Sequence, residues 1–397
     1  MKFKHTRKLL LSGSYRKLFV SFMKNIIVFS ALLLSLVTNL EAEESDKSET
    51  DGTSFRAMPT ISSNPTQGTG IGATGVIIYK ADERSSPSQG ILTGQYTDTD
   101  SYNLFAVNKM FFSNDKWQSN TVAGLVYNNS TFNLTGDIAP PIQPPFSPDD
   151  AIQFNVQIAV VMQQMLYEMH DNYYIGGQVM FVDQSFSDAN PLGEIFLKAK
   201  GVEDSSRGGY GITLSYDTRT KQEKFFPTDS SYVSFNINQF PEALGAVEQY
   251  YNSILNARKY IPGYKSSDVF AMQAYLQYSS ENTPDGALAA LGARNILRGF
   301  PIGLYKTRNM LAAQGEYRYR IDGSRFRLTA FGGYANMSGG SKGTASGNRE
   351  KDNGDYYSGG LGVHFILEEK QQLDYRVNVA YTSDDEASLY ASINQAF

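Results

Sequence analysis

Few residues in this chain are of the types that carry catalysis or bind metal. Cysteine is absent, so disulfides and thiolate-held metal are excluded. There are three histidines: His5 in a basic N-terminal stretch, His170 beside a turn, and His364 on an alternating segment whose polar side it shares. Two isolated imidazoles do not make a metal set, which needs three or four converging ligands. No Gly-x-Ser-x-Gly context falls on a strand-to-helix turn, and no Ser/His/acid group can be assembled. Neither an enzyme nor a cofactor is therefore expected. The acidic runs Asp149-Asp150 and Asp384 to Glu386 could bind divalent cations, but such runs are more often solvated faces.

The N-terminus reads as an export signal over residues 1–42. Seven Lys/Arg precede an apolar core from Ile26 to Leu40, and Leu40-Glu41-Ala42 offers a small residue before an acidic segment. Met23 would make a neater start. An uncleaved anchor helix is the other reading, but the apolar core falls short of the ~20 residues that span a bilayer. Without residues 1–42 the formal charge falls from −5 to −11, which argues against nucleic acid as a partner. Residues 43–54 are acidic and polar and read as a disordered lead-in.

Residues 55–397 follow a period of two. From Arg308 to Ile321, the positions Arg308, Met310, Ala312, Gln314, Glu316, Arg318 and Arg320 fall on one face, and Leu311, Ala313, Tyr317, Tyr319 and Ile321 on the other. In a soluble sandwich the apolar face would meet a second sheet. Here four charges and Gln314 oppose it, which suits a water-filled lumen inside and lipid outside. Leu373 to Thr382, Tyr210 to Asp217 and Tyr357 to Leu367 repeat the pattern. High aromatic content (26 Tyr, 24 Phe), 35 Gly and a negative mean hydropathy fit strands that are apolar on one side only.

Connections alternate between short (Asn114 to Lys116, Asp322-Gly323, Glu368 to Gln371) and long (129–151, 187–206, 281–306, 338–354). That asymmetry predicts an all-β, antiparallel transmembrane β-barrel in an outer membrane. Sixteen strands are expected, near 55–65, 69–80, 88–98, 101–112, 117–128, 152–167, 171–186, 207–219, 230–240, 246–261, 267–280, 308–321, 324–337, 355–368, 371–382 and 387–397. An even count puts both ends on the periplasmic side. A soluble β-rich protein explains the alternation but not the loop asymmetry.

Four segments carry a family resemblance. Residues 294–321 hold Arg298-Gly299-Phe300 ahead of the alternating strand. Residues 208–228 hold Tyr216 to Arg219, with Asp217 and Arg219, and then Pro227-Thr228. The ending runs LYASINQAF to Phe397, and Pro59 to Gly72 is a weaker match. Together these resemble the BamA/TamA, or bacterial surface antigen, family, in its barrel-only branch without periplasmic POTRA repeats.

The resemblance implies that residues 281–306 fold back into the barrel and that Arg298 pairs with an acid on the lumen wall. It also implies that Phe397 closes an outward-facing strand as the signal read by the outer-membrane assembly machinery. The family often carries Phe-x-Asp-x-Gly on the following strand, where this chain has Phe331-Gly332-Gly333-Tyr334-Ala335. With that acid missing, Glu316 is the candidate partner, and Arg318 shares its face. Physically, a buried arginine needs a carboxylate, Gly299 permits a tight turn, and Phe300 supplies packing. The bland alternative is a solvated loop arginine.

The leading functional expectation is a loop-plugged pore involved in outer-membrane protein assembly or translocation. Lipid, lipopolysaccharide, and periplasmic partner or client proteins are the partners it would meet. The second is a structural or lipid-organising barrel without transport, and the third, disfavoured by the residue census, is an enzyme in the barrel wall.

Overall fold

The computed structural model describes residues 53–64, 68–133, 151–187, 189–199, 204–221, 223–300, 305–340, 352–369, 373–393 and 397. The signal expected over 1–42, nearly all of the 43–54 lead-in, and Asp149-Asp150 lie outside the described residues.

Strands form where side chains alternate in character. In chain order they are β1 (Ser54–Asn64), β2 (Gly68–Tyr79), β3 (Ser88–Thr97), β4 (Tyr102–Phe112), β5 (Trp117–Asn133), β6 (Ala151–His170), β7 (Tyr173–Ser187), β8 (Ser205–Asp217), β9 (Ser230–Phe240), β10 (Tyr250–Pro262), β11 (Val269–Ser279), β12 (Ala289–Ala290), β13 (Lys306–Thr307), β14 (Asn309–Arg320), β15 (Phe326–Ser338), β16 (Gly354–Glu368), β17 (Leu373–Thr382) and β18 (Ala387–Ile393). Each long strand pairs antiparallel with its chain neighbours, β11 passing directly to β14, and β1 closes on β18. The result is a closed barrel of sixteen strands, with β12 and β13 a separate short pair.

The up-and-down order puts the expected short turns at one rim, and the connections containing 134–150, 188–204, 280–308 and 339–353 at the other. Two aromatic belts mark these rims on the outer face. At the short-turn end, Trp117 lies 4.8 Å from Tyr167 and 6.3 Å from Phe112, and Tyr173 lies 4.7 Å from Tyr216. At the loop end, Tyr102 stacks on Tyr127 at 5.1 Å and Tyr251 meets Tyr278 at 6.0 Å. Trp117 and Tyr127 share β5. Their ten-residue separation is about 33 Å along a strand, or ~25 Å of height at a tilt near 40°. That matches the apolar band of an outer membrane. Ile212, Leu361, Val179 and Val379 are exposed between the belts, where lipid would cover them. No helix among the described residues is long and apolar enough to cross a membrane.

Several elements differ from the sequence expectation. β5 and β6 run to 17 and 20 residues, well past a spanning length of ~9–11. β10 starts at Tyr250, not 246, because Glu242–Leu244 makes a 3-10 turn ended by Gly245 at φ 96°. The 187–206 connection contains a helix, α1 (Pro191–Ala199), capped where Asn190 Oδ1 accepts the Gly193 amide at 2.7 Å. Its Leu192 packs on Ile152 and Phe154. β18 is described only to Ile393, short of the expected 397.

Inside, positions directly opposite each other share a face. Two apolar rows cross the β4–β7 wall: Phe105, Gly124, Val160 and Val182, then Val107, Val122, Met162 and Met180. Below them an amide ladder passes from Gln164 to Gln178 (2.7 Å), on to Asn238, and from Asn238 to Asn252 (2.9 Å). Each amide there finds a partner, as a buried amide must.

Candidate functional site: the charged lumen wall and its docked loop

Inward positions of β14 to β17 carry ionisable groups: Glu316 and Arg318, Arg327, His364, then Asp374 and Arg376, all buried. The chain between β11 and β14 returns to meet them. Its segment 292–299 is kinked, with Gly292, Arg294, Asn295, Leu297 and Gly299 all at positive φ (75°, 54°, 58°, 50° and 110°). Such a conformation costs a non-glycine residue about 1–2 kcal/mol, so contacts must hold it.

Arg298 is the central contact. Its Nη1 lies 2.6 Å from Glu316 Oε2, with both side chains almost fully buried. Its Cζ sits 3.6 Å from the centroid of the Phe331 ring. Phe331 therefore faces the guanidinium from the strand where the resembled family carries its acid, and the charge is met by Glu316 on β14 and by an aromatic face on β15. Arg318 Nε donates to Glu316 Oε1 at 2.8 Å, so one carboxylate serves two guanidiniums.

Gly299 is required by both backbone and space. At φ 110° a Cβ would stand 2.8 Å from Thr382 Cγ2 and 3.0 Å from Ala380 Cβ. The same residue's carbonyl accepts Ser388 Oγ at 2.9 Å, tying the tip to β18. Phe300 makes edge contacts with Tyr305 (5.8 Å) and Tyr356 (5.7 Å) within an apolar cluster that includes Leu291, Ile296, Leu297 and Met310. Gln314 clamps the backbone, accepting the Leu297 amide at 3.2 Å and donating to Asn295 O at 3.0 Å.

Sequence reasoning did not single out the second cluster. Arg327 pairs with Asp374, and His364 Nδ1 lies 3.7 Å from the same carboxylate. Arg376 reaches Asn295 Oδ1 at 3.4 Å. The signal was present in the alternation, since all of these lie on the polar parity of their strands.

The strand-end motif forms a compact ion cluster at the short-turn rim. Asp217 receives Arg219 through two bonds, at 2.8 and 2.9 Å, and Lys224 Nζ at 3.2 Å. Arg219 also stacks on Tyr232 at 4.6 Å. Burial alone would lower the Arg219 pKa, but Asp217 more than offsets it and holds it above the ordinary value. Burial pulls the Lys224 ammonium below its ordinary value, with Asp217 opposing. In the same turn, Glu223 accepts from the hydroxyls of Thr228 and Thr220. Pro227 follows Phe226, whose ring turns inward on Arg327 at 4.0 Å.

Phe397 differs from its expected position. It does not face outward at the end of β18; it is buried with Phe226, Tyr260, Val269 and Ala271. Tyr260 and Val269 are inward positions of β10 and β11, and Arg318 Nη2 donates to Phe397 O at 3.0 Å. The physical reason is local: an inward pocket of aromatic rings beside a guanidinium buries this ring more fully than an outward strand position would.

A family model described as the Omp85 superfamily domain matches residues 92–368. Among solved structures, the chain is similar to CdiB from Acinetobacter baumannii (TM-score 0.56, 10% identity, covering 88% of this chain and 60% of that one). It is also similar to CdiB from Escherichia coli (TM-score 0.56, 11% identity, 88% and 63%). A BamA from Haemophilus ducreyi lacking POTRA domains 1–3 aligns with TM-score 0.49 at 13% identity, covering 89% of this chain and 73% of that one. The chain thus spans less than two thirds of either CdiB. No curated relative matches by sequence. The family match covers most of the barrel, from within β3 to the end of β16, and includes Arg298, Glu316 and Phe331; this chain is an outer-membrane β-barrel that belongs to the Omp85 superfamily.

Proposed function

We propose that this barrel is a loop-plugged pore of the insertion or secretion type, acting in assembly or translocation of outer-membrane polypeptides after export by a cleaved signal at residues 1–42. The observation that carries the reading is the seam. Among the described residues, β1 and β18 pair only at Ser62↔Tyr390 and Ser63↔Leu389. By comparison, β17 and β18 pair at seven positions and β5 and β6 at seventeen. Continuing the seam's register would set Thr60 opposite Ser392 and Pro59 opposite Ile393, and Pro59 has no amide to give. Instead, Tyr375 Oη donates to Pro59 O at 2.9 Å.

A seam this short is the cheapest place to open a barrel wall, and opening exposes two strand edges that template another strand. Arg298 belongs to the same device, since its loop tip is bonded to β18 through Ser388. Client proteins arriving through the periplasm and the surrounding lipopolysaccharide are the partners that fit.

The chain has no cysteine, so a disulfide from Ser62→Cys with Tyr390→Cys tests the reading cleanly. Oxidised protein in liposomes is expected to lose client-barrel insertion and to regain it on reduction, while Val379→Cys with Leu389→Cys, on β17 and β18, leaves it unchanged. Equal insertion by the locked and unlocked barrel would instead favour a lipid-organising barrel without transport.

A further inference from the structure

A cavity of about 220 Å³ lies between the docked loop and the lumen wall, away from the Arg298 contact. Arg207 of β8 and Arg294 of the loop line it, and no carboxylate does so among the described residues. Arg207 is only 4% exposed. Its Nε donates to Tyr250 Oη at 3.0 Å and its Nη1 to Ser205 Oγ at 3.1 Å, both neutral hydroxyls. A guanidinium at this depth without an anion is costly. By contrast, the buried Arg318 and Arg327 of β14 and β15 each have a carboxylate beside them, Glu316 and Asp374.

The rest of the lining is mostly apolar, with the amides of Asn252 and Gln277 among it. Met180 and Val182 end the two rows that cross from β4, and Tyr250, stacked on Phe240 at 4.5 Å, faces them with Tyr275 and Met310. Gly286 leaves the space open: a Cβ there would stand 3.4 Å from Arg207 Nη2. Two planar guanidiniums and apolar rows in one lining recognise a head that accepts forked hydrogen bonds and a body that avoids water.

We infer that this cavity binds a small amphipathic anion, a carboxylate or phosphate ester carried on an apolar body. Because Arg207 belongs to the wall and Arg294 to the loop, the bound anion ties the loop to the wall and stabilises the docked arrangement by mass action.

The test uses the full chain folded in a non-ionic detergent, with benzoate and phenyl phosphate as probes and benzyl alcohol and inorganic phosphate as comparators. Both aromatic anions are expected to raise Tm saturably and to show saturation-transfer NMR signals, and the comparators are not. Arg294, exposed at the cavity's edge, can be changed without disturbing the wall, and Arg294→Gln is expected to weaken benzoate binding about tenfold or more. Arg207→Gln is expected to abolish it. The inference is overturned if neither anion binds saturably, if benzyl alcohol or inorganic phosphate matches them, or if Arg294→Gln binds benzoate as the unaltered chain does.

Discussion

The lumen has two unlike walls. From β14 to β17 the inward positions hold Glu316, Arg318, Arg327, His364, Asp374 and Arg376, and the β11–β14 connection is pinned to them. From β4 to β7 the middle inward rows are Phe105, Val107, Val122, Val160, Met162, Met180 and Val182, and no loop ion pair reaches them among the described residues. Both walls obey the same period of two, so the barrel's geometry does not decide what docks inside it. The chemistry of every second residue does. A charged wall sets a direction and register for its occupant, because an unmatched buried charge is costly; an apolar wall accepts contact without specifying it.

Four changes probe the comparison. Glu316→Gln should have the largest effect, since it leaves Arg298 and Arg318 without their shared carboxylate. A loss of about 3–5 kcal/mol is expected, read as a fall in the temperature at which the folded band converts on a heat-modifiability gel. Arg298→Ala should cost less, about 2 kcal/mol, because Glu316 keeps Arg318. Its signature should be frequent loop excursions, seen as protease sensitivity near residues 292–300.

On the other wall, Met162→Ala should cost about 1 kcal/mol, less than a fully buried truncation, and leave that protease pattern unchanged. Loop release by Met162→Ala equal to that by Arg298→Ala would erase the distinction between the walls. The smallest effect belongs to the rim turn. Burial raises the Glu223 pKa, but the Thr228 and Thr220 hydroxyls overcome it and hold it below the ordinary value. Its contribution is therefore present above ~4.3, the unfolded glutamate value, and is lost as pH falls through the lower folded value. Glu223→Gln should flatten that part of a stability–pH curve and lower stability by a small, constant amount near neutrality.

Much of this was legible in the residues themselves. Strict alternation from Arg308 to Ile321 announces a strand with a wet and a dry face, and β14 follows it from Asn309 to Arg320. Glu316 could be named as the Arg298 partner because parity alone puts it inside. The apolar wall was not legible, because Val122-Ala123 and Val160-Val161 are apolar on both faces and parity then carries no signal. Cross-strand partners such as Arg327 and Asp374, 47 residues apart, depend on the register of the strands between them. Phe397 shows the limit of local pattern: its parity pointed outward, and an aromatic pocket formed by β10, β11 and the 218–229 turn holds it inside.

We propose that the Arg298–Glu316 contact keeps the loop docked in the lumen. Single-barrel current across a planar bilayer tests it most directly. The unaltered chain is predicted to pass a small, rarely fluctuating current, and Glu316→Gln a larger one with frequent openings. Identical traces from two equally folded barrels would contradict it.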